Sequence, residues 1–479
     1  MGLGETLAAY FELDEHDTDL RTEIVAGVTT FLTMSYIVVV NPAILATAIS
    51  IPGRTEAQTV EMIAVVTLIS AATATLVMAL YAKRPFAQAP GLGLNAFFAF
   101  TVVLGLGVPW QTALAAVVVE GVVFMALTVV GAREYIINLF PEPVKFAVGT
   151  GIGLYLAIIG LEAMRVIAGD AATFVQFNPV FASDPVAIIS VLGLFFTFLL
   201  YVRGVRGSIV IGIITTAIAG YVASLLGYHA FPAGQAPEGT TLAQASLTTG
   251  TQFQYTAAGY DITPLIGAFL KGLSNVDALT FSLIVFTFFF VDFFDTAGTL
   301  TGVGQIAGFL DEDGNFPDMD EPLMADAIGT TVGGILGTST VTTYIESATG
   351  VEEGGRTGMT ALVVGILFLV SLAVVPLAAT IPLYASHIAL VVVAVLMLQN
   401  VADVRWDDMT HAVPAGLTIL VMPFTYSIAY GIAAGIIAYP IVKAASGEWR
   451  TISVGQWVLA GAFVCYFFVR TSGLLAGQV

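Results

Sequence analysis

Pro85-Phe86-Ala87-Gln88-Ala89-Pro90-Gly91-Leu92-Gly93-Leu94-Asn95 is the stretch on which the fold turns. It stands where the third long apolar segment should begin, and a smooth apolar helix follows only after it. Proline and glycine interrupt helical hydrogen bonding. Backbone groups freed at membrane depth must then be buried in protein or line a cavity. A second stretch of this kind, Gly337-Thr338-Ser339-Thr340-Val341-Thr342-Thr343-Tyr344-Ile345-Glu346-Ser347, stands where the tenth segment should be, rich in β-branched residues and too polar for lipid. Interrupted segments at matching positions of two halves point to a transporter's binding site. An offset of seven spans is odd, so the two halves enter the membrane in opposite senses, as inverted repeats do. A half-helix beginning near Gly93 aims its backbone N–H groups at whatever lies between the two segments.

Composition agrees. The 479 residues are 57% hydrophobic and 10% charged, with a mean hydropathy of +0.92, whereas a soluble protein carries roughly a quarter charged residues. Apolar stretches such as Ile24–Ala48, Met62–Ala82 and Val186–Val202 are of membrane-spanning character. The expected fold is an all-α polytopic membrane protein with about fourteen transmembrane segments in a seven-plus-seven inverted repeat. At the end of the chain the residues also admit thirteen or fifteen. Ala415–Ala445 reads as a short hairpin or as one long helix interrupted by Gly431, Gly435 and Pro440, and Val454–Val469 is a further apolar stretch. The acidic start of the chain, without a basic leader, carries no sign of a cleavable signal peptide. Cys465 is alone, which leaves no disulfide framework.

The basic residues set the topology. Arg21 precedes span one; Lys83 and Arg84 follow span two, Arg133 span four, Arg203 and Arg206 span six, Arg405 span twelve, and Lys443 and Arg450 span fourteen. The 228–261 connection holds no Lys or Arg. The N-terminus is therefore expected in the cytoplasm. The net charge of −19 comes largely from the N-terminal segment and from Asp311–Glu321. That loop faintly resembles a calcium loop, but Pro322 stands where the bidentate Glu should be. A solvated acidic face is the better reading, and no metal or other cofactor is expected.

Acids within spans are costly and usually functional. In span eight Asp292, Asp295 and Thr299 fall on one helical face. Gly298 and Gly302 beside them suggest close approach of another backbone. Glu346 is the acid of segment ten. One carboxylate on each of two inward elements can accept hydrogen bonds from the N–H groups of a planar heterocycle, and either can carry a proton. Glu120 and Glu162 read as packing or gating residues, Asn41 as satisfying backbone freed by Pro42, and His387 and His411 as interfacial.

Several motifs in order resemble the AzgA-like purine permeases of the nucleobase–cation and nucleobase–ascorbate transporter group. They are Thr30–Ile37 with Asn41–Leu45, Ala89–Phe98, Phe294–Leu300, and Thr343–Ser347 through Gly354–Gly358. The resemblance implies short antiparallel strands in spans three and ten. It implies a core domain of spans one to four (1–135) and eight to eleven (261–377), and a gate domain of spans five to seven (136–260) and twelve to fourteen (378–479) that dimerises. It implies import of hypoxanthine, guanine or adenine by cation symport, with H⁺ as the expected ion and Na⁺ the alternative, across the cell membrane. Substrate contacts fall on Asp295, Glu346, Asn95, Gly93, Thr343 and Thr299, and proton coupling on Asp295, Glu346 and Asp292. The expected partners are a purine base, the lipid bilayer and a second copy of the chain, with no nucleic acid.

The alternatives are another nucleobase, xanthine or uracil, or an anion carrier on the same architecture, which should avoid acids at the crossing. An enzyme is not expected. Asp295-Thr296-Ala297-Gly298-Thr299 lacks the Lys of a phosphorylated pump aspartate, and no Gly-Lys-Ser/Thr phosphate loop is present. An intramembrane aspartyl protease needs Asp in two spans, and only span eight reads as having it.

Overall fold

The computed structural model describes residues 2–132, 135–136, 139–170, 173–231, 247–248, 255–273, 277–311 and 316–471. Most of the 228–261 connection, the centre of the acidic loop and Arg133 thus lie outside the described residues.

Fourteen segments follow one another. Span one (Leu20–Leu45) breaks after Met34 and resumes at Ile37. Glu56–Ala82 is span two and Leu92–Gly105 the helical part of span three. Trp110–Val129, Glu142–Ala163, Pro185–Val202 and Ser208–Leu225 are spans four to seven. Ala278–Ala307 is span eight, Asp320–Leu336 span nine, Ser347–Glu352 the short helix of segment ten, and Gly358–Val374 span eleven. Leu383–Asp403, Met409–Thr425 and Ile428–Ala445 complete the set. The last two form a hairpin turned at Tyr426 and Ser427, which resolves the ambiguity over Ala415–Ala445. A further helix, Val454–Thr471, follows the second repeat. Among the described residues, nine helices are long and apolar enough to cross a membrane unaided.

Caps fix several entries. Thr55 and Gln58 cap span two reciprocally, Oγ1 accepting from the Gln58 N–H at 3.2 Å. Asp184 accepts from the Val186 N–H at 3.0 Å and Asp277 from the Thr280 N–H at 3.0 Å. Gly308, at φ +72°, ends span eight in the left-handed conformation.

The packing repeats itself under addition of seven. Span four runs along span nine as span eleven runs along span two. Span one meets span eleven as span eight meets span four; six lies against seven, and thirteen against fourteen. The fold is thus an inverted repeat. At its centre strand β1 (Gln88–Pro90) pairs antiparallel with a strand in segment ten, Val341–Thr343, in the register Gln88↔Thr343, Ala89↔Thr342, Pro90↔Val341. A separate hairpin, β2 (Ile167–Asp170) with β3 (Phe174–Phe177), follows span five, and the segment-ten strand is β4.

Unwound backbone around β1 and β4 finds partners on every side. Gly91 N–H donates to the Thr340 carbonyl and Tyr344 N–H to Ala87, both at 3.0 Å. Thr75 of span two both donates to and accepts from the Gln88 backbone at 3.0 Å. Thr330 of span nine donates to the Val341 carbonyl at 2.7 Å. These bonds replace the water that a bilayer does not supply.

The N-terminal segment clamps the ends of spans two and eleven. Phe11 and Leu13 are buried against Met359, and Lys83 pairs with Glu12 at 2.8 Å. The hydrogen bond from Lys83 holds the Glu12 carboxyl below its usual range.

Helix approach is closest at glycines. A Cβ on Gly358 would fall on the Ala79 carbonyl, whereas one on Gly298 would have nothing within 4 Å. Gly358→Ala should therefore lower stability by about 1–3 kcal/mol through overpacking, with Gly298→Ala neutral. Thermal melts of the two purified variants check this, and equal melting of both contradicts the packing described.

Candidate functional site

The strand crossing positions two carboxylates toward open space. Asp295 of span eight is exposed on the face beside Gly298, and Glu346 is half-buried where segment ten resumes its helix. Each lies within electrostatic reach of the other. Tyr36, at the break in span one, donates from Oη to Glu346 Oε1 at 2.6 Å, a short charge-assisted type of contact. Thr342 of β4 reaches Asp295 Oδ2 at 3.4 Å and meets the Thr296 hydroxyl at 2.8 Å. The result is a crevice with an acid on either wall and a two-stranded floor.

The other expected residues divide. Thr299 is buried one turn beyond Asp295. Gly93 lies where a Cβ would come within 2.7 Å of Ile152 on span five, so it marks a close approach between span three and span five. Asn95 is fully buried; its Oδ1 accepts from Ser339 and its Nδ2 approaches the Pro90 carbonyl at 3.4 Å. Its side chain thus ties segment three to segment ten. Thr343 faces away from the crevice, because strand side chains alternate, and Asp292, one turn before Asp295 on the same side of span eight, is buried against Thr330 of span nine.

Beneath the floor is a polar layer that the sequence reading left out. Asp326 of span nine is wholly buried, and its Oδ1 accepts from Thr296 Oγ1 at 2.8 Å, Gln88 Nε2 at 3.0 Å and Thr343 Oγ1 at 3.0 Å. Span eight is therefore not the only span with Asp. The acidic loop just before span nine disguised Asp326 as part of a solvated run, although it stands six residues into a helix that continues Ala-Ile-Gly-Thr-Thr. Tyr36, Gln88, Thr296 and Thr342 were also missed; hydroxyls and amides on small-residue helices carry little signal until their partners are known.

Two other expectations change. Gly298 and Gly302 face open space and admit no neighbouring backbone. Asn41 does not serve the backbone before Pro42: its Nδ2 donates to Thr67 at 2.6 Å and Thr338 at 3.0 Å, joining spans one and two to segment ten. His387 and His411 flank span twelve and are buried in protein. Glu120 is wholly buried, while Glu162 accepts from Tyr426 Oη at 3.0 Å.

A cavity of about 300 Å³ lies elsewhere, bounded by Glu162, Arg165, Asn178, Asp184 and Phe231. Arg165 is already engaged there, 3.6 Å from Asp184 and 3.9 Å above the Phe231 ring. It shares no residue with the crevice.

A model of the Permease family matches residues 21–434. The chain is similar to adenine permease AdeQ of Escherichia coli strain K12, 37% identical over 96% of this chain and 95% of that one. It is also similar to guanine/hypoxanthine permease PbuG of Bacillus subtilis strain 168, 38% identical over 96% and 99%. Among solved structures, the transmembrane domain of the cyanobacterial bicarbonate transporter BicA aligns with a TM-score of 0.57 at 15% identity, covering 87% of this chain and 97% of that one. That likeness concerns the fold.

Removing Asp326 strands three buried donors, each costing about 1–3 kcal/mol. Asp326→Ala should accordingly destabilise the protein by roughly 3 kcal/mol or more, while Asp326→Asn, which keeps the accepting oxygen, should melt close to the parent. Melting of the alanine variant at the parental temperature would remove Asp326 from its supporting role.

Proposed function

The chain belongs to the nucleobase–ascorbate transporter family of permeases, a transporter and not an enzyme, and on that premise we propose that it imports purine nucleobases by proton symport. The observation that carries this reading is the pair Asp295 and Glu346, facing one crevice from span eight and from segment ten. Two carboxylates across a slot can each accept an N–H of a flat heterocycle, and Gly298 leaves the adjoining wall free of a side chain. Relatives named as adenine and guanine/hypoxanthine permeases, matched over nearly their whole length, supply the cargo class. An anion would meet two negative walls, so the bicarbonate-transporter likeness bears on fold alone.

Spans one to four with eight to eleven serve in this reading as a core domain, and five to seven with twelve to fourteen as a gate. Gly93 against Ile152 is one close-packed seam between them. Movement of core against gate gives alternating access without dismantling the strand pair. Of the expected carboxyls, Asp295 and Glu346 face the base, which leaves Asp292 for the coupled proton. The alternation of basic residues supports a cytoplasmic N-terminus in the cell membrane. Exposed apolar residues such as Leu192, Phe195 and Leu199 on span six suit lipid or a second copy of the gate.

Proteoliposomes holding the protein should accumulate radiolabelled hypoxanthine when an inward proton gradient is imposed, with guanine or adenine but not uracil competing. Asp295→Asn and Glu346→Gln should each reduce uptake by about 100-fold or more, since each exchanges a charge-assisted, titratable carboxylate facing the base for a neutral amide that brings an N–H donor in place of one accepting oxygen. Saturable uptake at the parental rate in both variants would reject the site, and dependence on Na⁺ in place of H⁺ would replace the ion.

A further inference from the structure

Behind β4 lies a group of acids that base recognition does not use. Glu120 of span four is fully buried, and its carboxyl oxygens have no hydrogen-bond partner apart from the carboxyl of Asp292. It faces Asp292 of span eight, also fully buried, whose Oδ1 likewise has no other partner. Neither acid opens onto the crevice where Asp295 and Glu346 stand.

Hydrogen accounting assigns a proton here. Thr330 Oγ1 stands 2.7 Å from the Val341 carbonyl and 3.2 Å from Asp292 Oδ2. A hydroxyl has one hydrogen, and a carbonyl only accepts. One hydrogen cannot fully serve both acceptors, and a protonated Asp292 relieves the competition by donating to Thr330 Oγ1 while the hydroxyl serves the nearer carbonyl. An ionised Asp292 would instead face Glu120 and Asp326 with nothing positive beside it.

Among the described residues, no cation is seen to offset the group. Span four packs against span three, span eight, span nine and the short helix Phe269–Gly272. Span three has no charged residue, Lys271 of the short helix is exposed, and span nine contributes Asp326. Span eight contributes Asp292, which also senses Asp295 on its own helix. Segment ten brings Glu346, which faces Asp295. Lys145 of span five lies 5.8 Å from the Phe294 ring, two residues past Asp292 and so on the opposite helix face. Isolated buried carboxylates are prohibitively costly without a counter-charge.

We propose that Glu120 and Asp292 form the coupling-proton site, separate from the two acids that receive the base. This rests on the transport reading above and gives it a location for the ion. Its link to the crevice is Thr330. When Asp292 gives up its proton, the Thr330 hydrogen turns to the new carboxylate, and Val341 of β4 loses its bond. β4 carries Thr342, which touches Asp295. Protonation on one side of the strand is thereby felt at the base-binding wall on the other, with no covalent step: a proton enters from outside and leaves to the cytoplasm.

Glu120→Gln tests this, because glutamine copies the shape of the protonated acid. The variant should fold and melt like the parent, bind hypoxanthine and exchange it across proteoliposomes. It should lose proton-driven accumulation by at least about tenfold, and its hypoxanthine affinity should no longer vary with pH as the parent's does. Normal gradient-driven accumulation in Glu120→Gln overturns the proposal while leaving purine transport standing. Failure of that variant to fold overturns it too, since a protonated site tolerates the neutral mimic. A parent protein that moves no purine removes the transport reading and this inference together.

Discussion

Everything in this protein depends on satisfying a few backbone groups where no water is available. Segments three and ten abandon the helix at membrane depth, which exposes N–H and C=O groups that lipid cannot serve. Each segment supplies what the other lacks, through three paired residues on each side and flanking bonds from Gly91 and Tyr344. Side chains of spans two and nine close the remaining positions through Thr75 and Thr330. Small residues follow from the same demand: a Cβ on Gly91 would lie 2.6 Å from Thr342, so the two segments could not cross as they do.

The crossing sorts acids by depth. On the open side, Asp295 and Glu346 have one hydroxyl contact each and unspent accepting capacity. Below the strands, Asp326 spends one oxygen on three donors, and its role is to hold Gln88 and Thr343 in place. Equally buried, Glu120 has only the carboxyl of Asp292 opposite it. Three kinds of carboxyl, open, saturated and facing another acid, are thus set within one small volume, and chemistry distinguishes them: a base binds the first, architecture uses the second, and a proton suits the third.

Much of the fold was legible because membrane burial leaves a coarse signature. Long apolar runs, sparse basic residues and two interrupted segments seven spans apart sufficed for span order and for inversion. Asp295, together with Asp292, and Glu346 stood out because they put acids into apolar or small-residue spans. The interior arrangement was not legible in the same way. Asn95 reads as a ligand residue by its place beside Gly93, yet its carbonyl is taken up by Ser339, 244 positions away. Asp326 was hidden by acids a few residues upstream, and Glu120 looked like packing because the partner that gives it meaning is on another span. Pairwise contact across spans is the information a single sequence withholds.

The strand pair also has a consequence for how the chain is made. Gln88 and Thr343, which meet in its register, are 255 positions apart. Contacts of such long range form late, because the loop between them must close first. A nascent first half is thus inserted with β1 unpaired and its edge unprotected, a state prone to wrong pairing. Biogenesis therefore has an obligatory waiting step, in which segment three stays sheltered by its neighbours until the second half is synthesised, and the molecule acquires its inner edge-to-edge seal only as one of the last acts of assembly.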